Sequence, residues 1–445
     1  MELKKRKTSI KIYIDKLKSS DVEGRMFRAL VFSFIGAAFS KVLIMGINIL
    51  LSRILGPEDY GKYTLVNSTI ETFVTFSSMG LGASMVHYTA IFRKNEKEKC
   101  GQVMGSFILI IAVMSLFVTL VVIICSKPIS IWTTKTLGIE NLFKISAFII
   151  LSVSLGSIMQ NILLGLERYK EITILEVVYG VIAIISTCLI SIFYGVIGAL
   201  IGLLLSRSIY AILLAGSAYK ESKSENIRWN IKLDYFVWNI FKKFTFPSFM
   251  SSLFVIPVSW FLNALLVKNA GFYDMAVYSI SLQWGAIVNY ITSLFSRTKP
   301  IYTQLYGEKN YSEFKKQLWK MVKLSSVIGV SIAFVGIIFS KFILGVYGPE
   351  YVEQQSVFII IMIATAVITI QSQFGSVFEA IGKMWIGFSL NLVWSANLII
   401  IFLLLKQYGA LGYSISYLIA YTIHCIYSWI VIAHILGKKE KNEAL

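Results

Sequence analysis

The chain has 445 residues, 56% of them hydrophobic and only 15% charged, with a formal net charge of +18. Soluble domains carry roughly 25% charged residues, so this sequence lacks the polar residues to cover a water-facing surface and reads as a membrane protein. A mean hydropathy of +0.71 agrees.

In chain order, residues 1–28 form a basic tail that opens "MELKKRKTSIKIYIDKLKSS". It leads into an apolar stretch too long for a signal-peptide core and without a small-residue cleavage site, which predicts an uncleaved first span. Windows of roughly 20 mostly apolar residues, the length that crosses ~30 Å of hydrocarbon, recur twelve times. They lie near 29–51, 63–88, 103–125, 142–165, 172–193, 195–218, 244–266, 275–297, 319–344, 354–379, 384–405 and 409–436. The first six make an N-terminal lobe, 29–218, and the last six a C-terminal lobe, 244–436. Residues 219–243 link the lobes, and 437–445 form a short tail. The expected fold class is an all-α polytopic membrane protein with twelve transmembrane helices in two parallel six-helix bundles.

With the N-terminus inside, 32 of the 42 Lys and Arg residues fall in cytoplasmic segments, 8 on the outer side and its edges, and 2 within spans. That bias predicts cytoplasmic N- and C-termini. The basic loops are then topology signals and lipid-headgroup contacts, and no nucleic-acid partner is expected.

The two lobes repeat one another. "LSRILGPEDYGKYTLV" (51–66) returns as "LVKNAGFYDMAVYSIS" (266–281), pairing Arg53 with Lys268, Gly56 with Gly271, Asp59 with Asp274 and Tyr63 with Tyr278 at a spacing of 215. "YGVIG" (194–198) returns as "YGALG" (408–412), and "SKPI" (126–129) as "SKFI" (340–343), both at 214. An even number of spans separates the copies, so the repeat is parallel, a common plan for transporters with a site near the bilayer midplane.

No Gly-rich phosphate loop or Walker sequence is present, which argues against ATP-driven transport by this chain alone. Cys100, Cys125, Cys188 and Cys425 show no metal or redox spacing, and His87, His424 and His434 share no ligand pattern and read as interface residues near cytoplasmic ends. No metal site and no cofactor are expected, and H+ or Na+ coupling stays open. No catalytic residues stand out, and a transporter is expected rather than an enzyme.

Charge inside hydrocarbon costs at least ~2.5–3.5 kcal/mol per residue and needs a cavity or a partner. In the second span, Thr64, Ser68, Glu71, Thr75, Ser78 and Gly82 fall on one helical face. Shifted by 215, they become Ser279, Gln283, Ala286, Tyr290, Ser293 and Arg297 in the eighth. In the first span, Lys41, Asn48 and Ser52 share a face, and Asn48 maps onto Asn263. Arg207 lies mid-span in the sixth and maps onto Tyr421, while Lys41 maps onto Ile256 and Glu71 onto Ala286. All three mid-span charges belong to the first half, an asymmetry that favours function. The candidate lumen residues are Lys41, Asn48, Glu71, Arg207, Gln283 and Arg297. Helix packing by small and hydroxylated residues, or an ion pair of Glu71 with Lys41 or Arg207, are the structural alternatives. In the turn "LERYK", Glu167 reads as solvated and Arg168 and Lys170 as topology signals.

The stretches "RILGPEDYGKY" (53–63), "LGVYGPEYVEQ" (344–354) and "LLGLERYK" (163–170) resemble recurrent segments of the polysaccharide exporter and flippase proteins of the multidrug/oligosaccharidyl-lipid/polysaccharide (MOP) superfamily. The resemblance covers the whole chain as a pattern of spans and turns. It implies a flippase for O-antigen, capsule or exopolysaccharide repeat units, working by alternating access between V-shaped lobes in the bacterial cytoplasmic membrane. The implied cargo is an oligosaccharide on undecaprenyl diphosphate, with membrane lipids around it and a polymerase and other assembly proteins as partners; a monomer is expected. Members of this kind carry lumenal cations, and Lys41 and Arg207 are the positions that match. A diphosphate headgroup suits cations and amides on cavity faces. The alternative within the superfamily, a cation-coupled multidrug antiporter, calls for intramembrane acids. Glu71 is the mid-span acid, since Glu176 and Glu379 fall near cytoplasmic edges. A membrane-embedded polymerase calls for a sizeable outer loop with catalytic residues, and the longest, about 126–141, has no His or Asp.

Overall fold

The computed structural model describes residues 22–134, 138–246, 249–250, 255–293 and 299–443. Among them every regular element is helical: α1 (Val22–Ser78), α2 (Leu81–Asn95), α3 (Lys97–Thr134), α4 (Glu140–Gly165), α5 (Tyr169–Ser224), α6 (Tyr235–Ile240), α7 (Val255–Ala270), α8 (Phe272–Ser293), α9 (Lys299–Gly307), α10 (Tyr311–Ile338), α11 (Ser340–Tyr347), α12 (Gln355–Ala380), α13 (Met384–Leu405) and α14 (Gly409–Glu443). Helix is what lipid demands, because a helix satisfies its backbone polar groups within the segment. Seven helical stretches are long and apolar enough to cross a membrane. The chain is a multi-pass membrane protein.

Three of these stretches reach at least twice the ~20 residues one crossing needs: Phe39–Ser78, Tyr169–Ser224 and Trp385–Gly437. Each is broken by a glycine with positive φ. Gly56 (φ 71°) interrupts α1 and Gly195 (φ 54°, ψ −136°) interrupts α5. Gly409 (φ 56°, ψ −132°) stands between α13 and α14. Side chains are nearly excluded from that backbone region. At Gly195 the chain doubles back, so that Ser186 Oγ donates to the Gly202 carbonyl at 3.0 Å and Tyr179 meets Tyr210 with ring centroids 4.8 Å apart. The reversal at Gly409 brings Phe402 to Tyr413 (4.8 Å) and Trp394 to Tyr421 (5.1 Å).

The sequence repeat therefore has a backbone counterpart. Gly195 and Gly409 differ by 214 in number and by 2° in φ, and Gly56 and Gly271 both have positive φ. The second glycine of each "YGxxG" copy has its own reason. A Cβ on Gly198 would strike the Ile190 carbonyl oxygen, and one on Gly412 the Leu405 carbonyl oxygen. The serines of "SKPI" and "SKFI" also behave alike: Ser126 Oγ donates to Ile123 O at 2.8 Å, and Ser340 Oγ to Ile337 O at 2.6 Å.

The chain divides into two compact units, each discontinuous in sequence. Unit 1 comprises Met1–Asn48, Phe73–Ser126 and Asn141–Met250; unit 2 comprises Ile49–Thr72, Lys127–Glu140 and Ser251–Leu445. In unit 1, small residues let helices approach closely. Gly180 abuts Leu43, Gly156 abuts Ala211, and Ser152 and Ser208 share a 2.9 Å hydrogen bond. In unit 2, a buried cluster joins Tyr302, Phe314, Phe374, Phe378 and Ile432.

The segment after α5 is not a loose loop. Residues 227–233 run without helix across the start of α3. Asn230 N–H donates to Gly101 O at 3.0 Å, Gln102 Nε2 to Lys232 O at 3.0 Å, and Ser106 Oγ to the same carbonyl at 3.1 Å. Cβ atoms on Gly101 and Gly105 would collide with the Arg228 and Asn230 carbonyl oxygens. The two glycines, one helical turn apart, make the track for this strap. Asp234 then caps α6, its Oδ1 accepting from Phe236 and Val237 N–H at 3.1 and 3.2 Å. A Gln102 hydrogen bond, with these backbone bonds and Lys232, holds its carboxyl below the ordinary aspartate value.

Candidate functional site

In unit 1, the hairpin at Gly195 builds a polar cluster inside a membrane-spanning stretch. Arg207 stacks on Tyr179, with Cζ 4.6 Å from the ring centroid, in the range of a cation–π contact. Tyr179 is buried and Arg207 half-buried. Among the described residues the guanidinium makes no hydrogen bond or ion pair, so its five donors remain available. Gln160 Nε2, from α4, donates to Glu176 Oε1 at 3.0 Å. Sequence position alone puts Glu176 near a cytoplasmic edge. The hairpin brings its carboxylate within electrostatic reach of the same Tyr210 hydroxyl that Arg207 approaches.

At the equivalent place in unit 2 the chemistry is neutral and aromatic. Trp394 faces Tyr421, and Tyr421 also meets Tyr417 at 4.7 Å. His424 is buried, one nitrogen 3.2 Å from Gln371 Nε2. It is a core residue of unit 2 rather than the interface residue its sequence position suggests. The charge asymmetry read from the sequence is thus also an asymmetry of partners.

The other sequence candidates scatter. Lys41 is exposed and touches neither Arg207 nor any ion-pair partner among the described residues. Leu43, about 200° further round the helix at 100° per residue, is the side chain that packs on Gly180 of α5. Asn48 is half-buried. In unit 2, Gln283 Nε2 donates to Tyr60 OH at 3.0 Å, while Gln283 Oε1 and Asn263 Oδ1 are buried without a partner among the described residues. Glu71 is exposed and lies 3.4 Å from Asn67 Nδ2. Arg297 lies outside the described residues. The polar stripe of the second span is less continuous than its spacing suggests. Met79 and Gly80 both have positive φ and break the helix between Ser78 and Leu81. The hydroxyls of Thr64, Ser68 and Ser78 bond back to the carbonyls three residues earlier.

Two groups of interactions, one in each unit, escaped sequence reasoning. Inside unit 2 the two "GPE" turns meet. Arg53 Nε donates to Val346 O at 2.6 Å and Nη2 to Gly345 O at 3.1 Å, while Ser52 Oγ donates to Tyr347 O at 3.0 Å. A guanidinium there complements the carbonyl-rich C-terminus of α11. Tyr273 OH adds a 2.7 Å bond to Glu350 O. In unit 1, Glu167 is not merely solvated. Its φ is +62°, and it pairs with buried Arg93 at 2.6 Å. Arg168, read as a topology signal, reaches Glu221 at 2.9 Å and Glu225 at 3.2 Å.

The family model described as "Polysaccharide biosynthesis protein" matches residues 28–296, and a MatE model matches 247–405. The chain belongs to the polysaccharide biosynthesis protein family. Within the MOP superfamily, this family member is similar to a Shigella flexneri protein named for O-antigen transport, 25% identical over 390 residues, covering 82% of this chain and 88% of the relative. A Yersinia pseudotuberculosis protein named for O-antigen export is 21% identical over 316 residues, covering 67% and 70%. Among solved structures, an inward-facing multidrug resistance MATE family transporter of the MOP superfamily aligns with a TM-score of 0.77 at 14% identity, covering 93% of this chain and 99% of that one. An outward-facing one aligns at 0.65 and 15% identity, covering 94% and 96%. At such identities these likenesses concern the fold alone.

Proposed function

We propose that this polysaccharide biosynthesis family protein is a flippase for oligosaccharide repeat units carried on undecaprenyl diphosphate, serving O-antigen, capsule or exopolysaccharide assembly at the bacterial cytoplasmic membrane. The names of its two relatives support the substrate class, and the fold of its structural neighbours supports a transporter working by alternating access. The reading includes twelve crossings with both termini cytoplasmic, as the basic-residue bias implies. The observation that carries it is Arg207: a half-buried guanidinium in a membrane-spanning helix, stacked on Tyr179 and with no ion-pair partner among the described residues. A cation with open donors at membrane depth is matched by an anionic ligand, and a diphosphate accepts charge-assisted hydrogen bonds from such a fork. In unit 1, Lys41 supplies the second cation and Asn48 a polar contact to the headgroup and sugars.

The test is surface-polysaccharide production at matched protein levels. Arg207→Ala is expected to abolish it and Arg207→Lys to retain a fraction, since lysine keeps the charge and loses the planar fork. Lys41→Ala is expected to reduce it. Wild-type production from both alanine variants would overturn the assignment.

A further inference from the structure

The strap and α6 carry a surface that transport does not explain. Along residues 231–238, Ile231, Leu233, Tyr235 and Trp238 are each 53–81% exposed, while Val237 and Ile240 turn inward and are buried. Exposed Arg228, Lys232, Lys242 and Lys243 flank this row. Lys242 Nζ lies 5.4 Å from the Trp238 ring centroid. Against these cations the same surface sets Asp234, 3.8 Å from Lys232, and Glu98.

The depth of this row is fixed by its anchors. The strap bonds to Gly101, Gln102 and Ser106, and the apolar run of α3 begins near residue 103. The row therefore lies where α3 enters hydrocarbon, within roughly 5 Å along the axis at 1.5 Å per residue. Aromatic and aliphatic side chains interleaved with lysines at that depth match the boundary between headgroups and acyl chains. Beside the strap is a cavity of about 450 Å³ lined by Lys97, Glu98, Asn226, Arg228, Trp229 and Asn230. Two cations and two amides outnumber the one carboxylate, a donor-rich lining suited to a phosphate diester.

We propose that residues 226–243 form a binding surface for anionic phospholipid in the leaflet at their own end of unit 1. The row of Ile231, Leu233, Tyr235 and Trp238 inserts at the interface. The cavity with Arg228, together with Lys242 and Lys243, holds the phosphate headgroups. Basic side chains near a charged leaflet each contribute on the order of 1 kcal/mol, about fivefold in affinity.

The test uses the full chain with Cys100, Cys125, Cys188 and Cys425 replaced by alanine and a spin label on Trp238→Cys, in vesicles of phosphatidylcholine with or without phosphatidylglycerol. The label is expected to meet oxygen more than a water-soluble nickel chelate. A label on Lys223→Cys should show the reverse. Native mass spectrometry of the purified chain is expected to show phosphatidylglycerol binding on the order of tenfold tighter than phosphatidylcholine. The variant Arg228→Gln/Lys242→Gln/Lys243→Gln is expected to lose that preference. A label at 238 as open to nickel as the one at 223 would overturn the proposal. So would a label shielded from both reagents, which would place a protein there, or equal binding of the two lipids by the unsubstituted chain.

Discussion

Arg207 was visible in the sequence because a charge in an apolar run needs a cavity or a partner, but its ring partner was not. Tyr179 lies 28 residues earlier, and only the reversal at Gly195 brings the two to 4.6 Å. The Gln283–Tyr60 bond, 223 residues apart, was equally out of reach. Glu167 shows the opposite failure. In a short turn it read as solvated, whereas its left-handed backbone aims it at Arg93, whose side chain is 9% exposed. Glu167→Ala leaves a buried guanidinium without its carboxylate and is expected to cost about 3 kcal/mol, seen as a lower thermal midpoint in detergent. The pair Arg93→Met/Glu167→Leu removes both charges and is expected to recover most of the loss. If Glu167→Ala melts like the wild type, the ion pair adds nothing to stability.

The helices themselves were legible, because apolar runs of crossing length and a 214-residue repeat are one-dimensional signals. Their breaks were legible only as glycines. Gly195 and Gly409 share a backbone conformation that side chains avoid, at roughly 1–3 kcal/mol each when forced. Their surroundings differ. Nothing stands within 4 Å of a Cβ at Gly195, whereas at Gly409 it would collide with Asp274 Oδ1. That oxygen accepts from Ala410 N–H at 2.6 Å. Gly409→Ala is therefore expected to destabilise more than Gly195→Ala, as compared by thermal unfolding of the two purified variants. Equal losses would mean that φ alone decides. The Gly101–Gly105 pair went unnoticed for a different reason: what it accommodates is a backbone strand read as a polar linker, and no local pattern announces that contact.

For the molecule as a whole, composition was enough to read a multi-pass membrane protein, and the spacing of like segments was enough to read a repeat. A repeat records which segments are built alike; it does not record which segments touch. The grip of Arg53 on Gly345 and Val346 within unit 2 belongs to the second kind of information. Orientation across the bilayer is carried by the basic residues, 32 of 42 on one side of the proposed topology. Reporter fusions at Glu58 are expected to read outside and fusions at Lys223 inside. The reverse pattern would overturn the twelve-crossing arrangement with both ends cytoplasmic.

A polar connector such as residues 219–243 is ordinarily where a protease nicks a chain first. Cleavage needs several residues of backbone to lift away and enter the protease, and here the Asn230 N–H and the Lys232 carbonyl are bonded to α3. Trypsin is expected to leave the peptide bonds after Arg228 and Lys232 intact under conditions that digest the denatured chain. Gly101→Leu, which pushes the Arg228 carbonyl off its track, is expected to expose them. The two glycines of α3 would then govern how long the protein survives among membrane proteases, a selective pressure on lifetime acting on residues far from any substrate.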